Sequence, residues 1–454
     1  MRLKKVPVLT FEWDDPNLPK IVREAREKYK CISTTLDKEP KLLDLVHADV
    51  CVLSSDNPKG RKGDFTSENI LRTIVVKEVE GLSLREAVLR IADSRFLQSF
   101  VRLEKKSTMD YPLLDQCYGA IEPETLEEMN RVLGAYAVAE EKVDPSVIRA
   151  DTTVVETNIH YPTDSSLLWD TWRVAVRLLK RGRRRVKASC RHRFHTKKIK
   201  KLHLYITRYS SSPSNKRKRS VRSKFRTLIE RTEWLLDAVR EFLAFARENR
   251  DLELRAVAAE LRGYLPTMEQ IVAVARRAQI DREKVKARER VFSLFEPHTE
   301  LIKRGKRSTP VEFGHVIALS QTPEKFITDY QVFEEAVADN TLPDSILDRH
   351  KDRFETVPDV LAADTGFHPG EEDRPALEAR IETLAIPRRT RDFSDKVLAH
   401  WQRFRAGIEG TISALKRVFR LCRCLFHGFK GFARSVGMSV FAHNLVVLAS
   451  QKEP

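Results

Sequence analysis

The sequence predicts a mixed α/β fold. One sheet is covered by helices on both faces, interrupted by a large α-helical insertion and preceded by an N-terminal helical domain. Three observations carry this expectation. Val147, Ile148, Val154, Val155 and a run of Thr mark a strand near residue 150, alternation with a period of two marks a hairpin over 311–334, and short apolar runs follow near 360 and 385. Helical spacing separates these segments, the order expected when connecting helices cover a sheet. Residues 165–305, between the first strand and the hairpin, carry mostly helical pattern.

Taken in order, residues 1–60 form an N-terminal segment with short apolar runs ("LLDLVHADVCVL"), ending in the polar "SSDNPKGRKGD". Residues 61–140 read as a helical, DNA-binding bundle. Ile70, Leu71, Ile74, Val75 and Val79 make one helical stripe; Leu84, Ala87, Val88, Ile91 and Ala92 make another. Ser83 and Glu86 have the spacing of a capping box. "EGLSLREAVLRIADS" fits either a helix-turn-helix or plain bundle packing. A strand at 146–156 then opens the sheet-bearing region, 141–164 and 306–450. Inside the insertion, "FRTLIERTEWLLDAVREFLAFARE" and "LRAVAAELRGYLPTMEQIVAVARRA" predict an antiparallel helical pair, the second kinked or broken at Pro266. After the hairpin come a helix ("PDSILDRHKDRFETV"), an apolar run ending in Asp364, a helix ("RPALEARIETL"), a short strand ("LAIPRR") and a long helix from about Ser394.

Charge narrows the function. The chain has 454 residues, 41% hydrophobic and 32% charged, with a net charge of +17. From Thr171 to Ile229 there is no Asp or Glu but 22 Lys and Arg, more than the surplus of the whole chain. They include Arg181, Arg183, Arg184, Arg185, Lys197, Lys198, Lys200, Lys201, Lys216, Arg217, Lys218 and Arg219. Solvated helices usually alternate sign, so this stretch reads as a phosphate-binding arm, with "SSSPSNKRKRS" its flexible part. The first residues lack the apolar run of a signal peptide, and "VGMSVFAHNLVVLAS" reads as too short to cross a bilayer. The expectation is a cytoplasmic protein acting on nucleic acid, with no membrane partner. Six cysteines in so long a chain are no disulfide framework, and "CRHRFH" has no second pair to complete a zinc site.

Hard oxygen donors are the remaining chemistry. Asp151 lies mid-strand among Val147, Ile148, Val154 and Val155, where a bare carboxylate is costly to bury. Asp364 follows an apolar run and precedes Thr365-Gly366, a strand end or an N-cap. At about 100° per residue, Arg405, Glu409 and Lys416 fall on one helix face. Each has a plain alternative: Asp151 satisfied by local backbone or by Arg149, Asp364 as a cap, Arg405–Glu409 as an i, i+4 pair. Together the three acids form a set suited to two-metal phosphoryl chemistry.

At these residues the chain resembles DDE transposases of bacterial insertion sequences, closest to the ISNCY type. The resemblance rests on "RADTTVVETNIHYPTDSSLLWD", "FEPHTELIKRGK…VEFGH", "VPDVLAADTGF" and "RFRAGIEGTISALKR…AHNL", in that order. It implies an RNase H-like core, binding to terminal inverted repeats, DNA cleavage and strand transfer, and a homodimer or higher assembly on DNA. It implies Asp151, Asp364 and Glu409 as the catalytic and metal-ligating triad for two Mg²⁺ ions, with Mn²⁺ a substitute. Arg405 and Lys416 match the basic residues around the glutamate. Gln402 stands where the family has Tyr, so no role is assigned to it; Thr365 and Val316 also depart from the pattern. A catalytically silent DNA-binding protein or repressor and an RNase H-like nuclease are the alternatives. Glu156 reads as a solvated strand-end carboxylate or an auxiliary acid, and the aromatics His160, Trp169 and Trp172 beside the first motif read as core residues or as DNA contacts.

Overall fold

The computed structural model describes residues 2–5, 17–53, 64–103, 107–303, 311–388 and 396–451. The chain divides into two compact units, Met1–Glu156 with His315–Pro454, and Thr157–Gly314.

Seven strands form one mixed sheet: β1 (Val147–Thr157), β2 (Glu300–Lys303), β3 (Val311–Gln321), β4 (Ile327–Val332), β5 (Val360–Ala362), β6 (Thr383–Ala385) and β7 (Arg423–Cys424). Its path is β2-β3-β1-β5-β6, with β4 on β3 and β7 on β1. β5 runs parallel to both β1 and β6, whereas β3 and β4 form the expected antiparallel hairpin. Parallel neighbours need crossovers, and the helices Leu342–Phe354 and Arg374–Glu378 supply their chain.

Strand alternation sorts the first unit's core onto two faces. Ile148, Ala150, Ala318, Leu361 and Leu384 pack with Leu342, Ile346 and Leu347 of the helix Leu342–Phe354. On the opposite side, Val360, Ala362 and Ala385 meet Trp401 and Phe404 of the helix Lys396–Arg417. Ile317 and Leu319 point into the largest core, shared with the N-terminal helices and the helix Gly428–Ser450. That last helix is long and apolar enough to cross a membrane, contrary to the expectation that the apolar tail is too short. Its side chains are mostly buried in this core, which accounts for their apolarity.

The helix Ser67–Val79 departs from the expected stripe: every residue in it is buried. Its charges survive burial by pairing internally. Arg72 donates to Glu68 at 3.1 Å and to Asp37 at 2.8 Å, and Lys77 to Glu78 at 2.6 Å. The turn to the helix Leu84–Ala92 has the expected capping box: Glu86 N donates to Ser83 Oγ at 3.2 Å, and Ser83 N to Glu86 Oε2 at 2.7 Å. Gly81 takes φ +58° there, and a Cβ would meet the Val418 carbonyl oxygen at 2.3 Å. The motif "AHNL" clamps the β3–β4 turn. Asn444 accepts from Ile327 N and donates to Ile327 O, both at 2.9 Å, and His443 Nε2 donates to Lys325 O at 3.0 Å.

The second unit has its own core, built by the helices Asp164–Arg185, Thr196–Tyr209, Asn215–Glu248 and Leu252–Gln279. The helix Leu252–Gln279 continues unbroken through Pro266, because Leu261, Met268 and Ile271 on either side are held in the core. The stretch "KRKRS", expected to be flexible, is helical from Asn215 onward. Val221, Phe225, Leu228 and Ile229 bury one face of that helix and carry its charged first turn with them. β2 pairs with residues 311–314 inside this unit.

Candidate active site

β1 positions the first acid. Residues of odd number on this strand face the helix Lys396–Arg417: Val147 packs beside Phe404, and Arg149 donates to the Phe404 carbonyl at 2.8 Å. Asp151 is next on that side, two residues past the paired Arg149 and Ala362. Asp364 stands two residues past Ala362 on β5, so the parallel register carries both aspartates beyond the same pairing. The Asp364 side chain accepts from Gly366 N at 2.8 Å and caps the short turn Thr365–Phe367.

Asp151 is mostly buried, its side chain 16% exposed. Its Oδ1 accepts from Thr152 N at 2.8 Å, and its Oδ2 lies 3.4 Å from Arg405 Nη1. The same Nη1 is 3.4 Å from Oε1 of Glu409, which is 65% exposed. Burial pushes the Asp151 carboxyl above its ordinary value, and the charges of Asp364 and Asp339 push the same way. The Thr152 amide and Arg405 pull it down without cancelling the shift. Arg149 is not the counter-charge. It is committed to Gln321 Oε1 at 2.8 Å and to the Phe404 ring and carbonyl. That approach requires Gly407, where a Cβ would stand 2.1 Å from Arg149 Nη1.

Two residues at the site escape sequence reasoning. Asp339, in the turn before the helix Leu342–Phe354, accepts from Thr152 Oγ1 at 3.0 Å. A Cβ on Gly366 would lie 3.0 Å from Asp364 Oδ1 and 3.4 Å from Asp339 Oδ2, so these two acids converge on one glycine. Gln402, given no role from the sequence, donates to the Ala363 and Ala385 carbonyls at 3.0 and 3.2 Å. It ties the helix bearing Arg405 and Glu409 to the strand ends beside Asp364.

The donor chemistry suits a hard divalent cation: Asp364 and Asp339 both act electrostatically on Asp151, and Arg405 is the cation acting on it. Among the described residues, no group of three or more His, Cys, Asp or Glu side chains is gathered tightly enough to hold one ion. Arg405 lies within reach of both Asp151 and Glu409. Its Nε is buried without a hydrogen-bond partner, a donor available to an anion.

Residues 298–445 match the Transposase DDE domain family. The match takes in Asp364, Arg405 and Glu409 and begins after Asp151. It is consistent with a DDE transposase of insertion sequences, and such a family implies a transposase activity and DNA as its partner. DDE transposases generally use divalent metals. No curated protein and no solved structure matches the chain.

The basic residues of the second unit lie on helices. Arg183, Arg184 and Arg185 end the helix Asp164–Arg185; Lys197, Lys198, Lys200 and Lys201 lie along the helix Thr196–Tyr209; Lys216–Arg219 open the helix Asn215–Glu248. All eleven are exposed. Arg185 is engaged with Asp251 at 2.9 Å, whereas Lys197, Lys198, Lys200, Lys201, Lys216, Lys218 and Arg219 make no ion pair among the described residues. Arg217 stacks over Tyr209 at 4.8 Å. His160 reaches Asp170 at 3.6 Å, Trp172 is core, and Glu156 pairs with Arg423 at 2.5 Å.

Proposed function

We propose that this chain is a DDE transposase that binds the terminal inverted repeats of an insertion element, cleaves DNA there and joins the freed 3′-OH to target DNA. The observation that supports it best is the Asp151 carboxylate, held on a central strand beside Asp364 and linked through Arg405 to Glu409. The sheet, interrupted after its first strand by a helical unit, fits an RNase H-like core.

In this reading Asp151, Asp364 and Glu409 hold Mg²⁺, as two ions, with Mn²⁺ able to substitute. Bound there, divalent metal supplies the charge that stabilises the attacking and leaving oxygens of phosphoryl transfer. Gln402 and the Thr152–Asp339 contact hold the acids in register. Arg405 and Lys416 position phosphates, and Arg405 moves from the carboxylates toward the DNA as substrate enters. The basic helices and the N-terminal bundle grip the phosphate backbone, which sets affinity without reading sequence. Two or more chains hold the two ends together.

The test is cleavage. DNA carrying the inverted repeats that flank this gene, incubated with the protein and Mg²⁺, should be nicked at the repeat ends. Binding without nicking under any divalent metal would support a silent repressor, and cutting without regard to ends would support a nuclease.

A further inference from the structure

Asp339 does more in this geometry than accept one hydrogen bond. It opens the short turn Asp339–Thr341, which packs against the turn Thr365–Phe367 that Asp364 caps. Its two carboxylate oxygens have different neighbours. Oδ1 accepts from Thr152 Oγ1 at 3.0 Å, and the Thr152 amide in turn donates to Asp151 Oδ1 at 2.8 Å. Oδ2 lies 3.4 Å, and Asp364 Oδ1 3.0 Å, from the point where a Cβ on Gly366 would stand. One carboxylate therefore reaches toward both aspartates of the parallel pair β1 and β5.

Two carboxylates around one point repel each other unless a cation joins them. Asp364 makes no ion pair among the described residues, yet this second acid is packed toward it. The φ of Gly366 is not in the left-handed region, so its backbone does not itself call for glycine; the missing side chain leaves room beside both oxygens. An ion of the Mg²⁺ kind keeps several waters and takes only one or two carboxylates from a protein, so a pair of acids suffices where no three are gathered. Glu409, exposed and turned to Arg405, stands apart from this pair. We infer that Asp339 is a fourth acid of the metal site, sharing one divalent ion with Asp364 before DNA arrives. The inference rests on the proposed function in taking these acids as a metal site.

The test is Mn²⁺ binding to the full chain without DNA, read from the electron paramagnetic resonance signal of the free ion. Asp339→Asn isolates the charge, because the Asn carbonyl can still accept from Thr152. It should weaken Mn²⁺ binding by at least about tenfold, the least that losing even a residue that supports a metal ligand costs, and leave the metal-free Tm unchanged or higher. Asp364→Asn should weaken binding as much. Thr152→Val keeps the Asp339 carboxylate and loses the hydrogen bond, so it should cost less. Gly366→Ala removes no acid but fills the space beside both oxygens; it should weaken binding too, and it carries the test if Asp339→Asn fails to fold. Wild-type Mn²⁺ affinity in a folded Asp339→Asn, or in Gly366→Ala, beside a loss in Asp364→Asn would overturn the inference and leave the proposed function standing. Equal losses in Thr152→Val and Asp339→Asn would also overturn it, reducing Asp339 to a support for Thr152. No Mn²⁺ binding by the wild type, with or without repeat-end DNA, would overturn it together with the metal reading itself.

Discussion

Arg405 should be energetically coupled to Asp151 and barely to Glu409, although its Nη1 lies 3.4 Å from both. Arg405 and Asp151 are 18% and 16% exposed, so their attraction is little screened and a charged hydrogen bond of about 1.5–3 kcal/mol applies. The long 3.4 Å separation reduces this to about 1–2 kcal/mol. Glu409 is 65% exposed on the same helix four residues on, where such pairs are worth about 0.2–0.5 kcal/mol. Two double-mutant cycles by urea denaturation without divalent metal measure these energies, Arg405→Ala with Asp151→Asn and Arg405→Ala with Glu409→Gln. The first coupling should be at least about three times the second. Equal couplings, or a first value below about 0.5 kcal/mol, would refute the claim that Arg405 is the cation balancing Asp151.

Other outcomes follow from the same structure. Replacing Lys216, Arg217, Lys218 and Arg219 by Ala should lower the slope of log K against log salt by about 0.9 for each phosphate no longer neutralised; an unchanged slope would remove these residues from the DNA interface. Gly407→Ala should destabilise the protein by about 1–3 kcal/mol in thermal or urea unfolding, because its Cβ collides with an Arg149 pinned on both sides; wild-type stability would mean that Arg149 repacks freely. Burial holds the His443 and His350 imidazoles down at about 4. Both groups fold neutral, so their contribution is complete above the ordinary value near 6.5 and falls away as pH drops toward 4. His443→Asn should flatten that acid limb in Tm measured against pH; an identical limb would show that His443 is not the group responsible.

The placement of the candidate residues on their elements is legible in the sequence because it depends on local pattern. An acid among strand-forming residues marks Asp151, an acid after an apolar run and before Thr-Gly marks Asp364, and helical spacing puts Arg405 and Glu409 on one face. Asp339 carries no such signal. It sits in a short turn before a helix opened by Leu342-Pro343, and its hydrogen bond with Thr152 exists only because packing brings together residues 187 apart. Gln402 is silent for the same reason, since its carbonyl partners come from two different strand ends. The charge run at 216–219 suggested a flexible segment because like charges favour solvation, yet the apolar face further along that helix decides its structure. The burial of the helix Ser67–Val79 is hidden by its own charges, which find each other inside the core.

The most direct measurement compares Mg²⁺-dependent nicking of repeat-end DNA by the wild-type chain and by Asp151→Asn, Asp364→Asn and Glu409→Gln, with DNA affinity recorded in parallel. Each variant should bind DNA as the wild type does and lose cleavage by a factor of about 10³ or more. Wild-type cutting by any one of the three would contradict the claim that these residues form a single site.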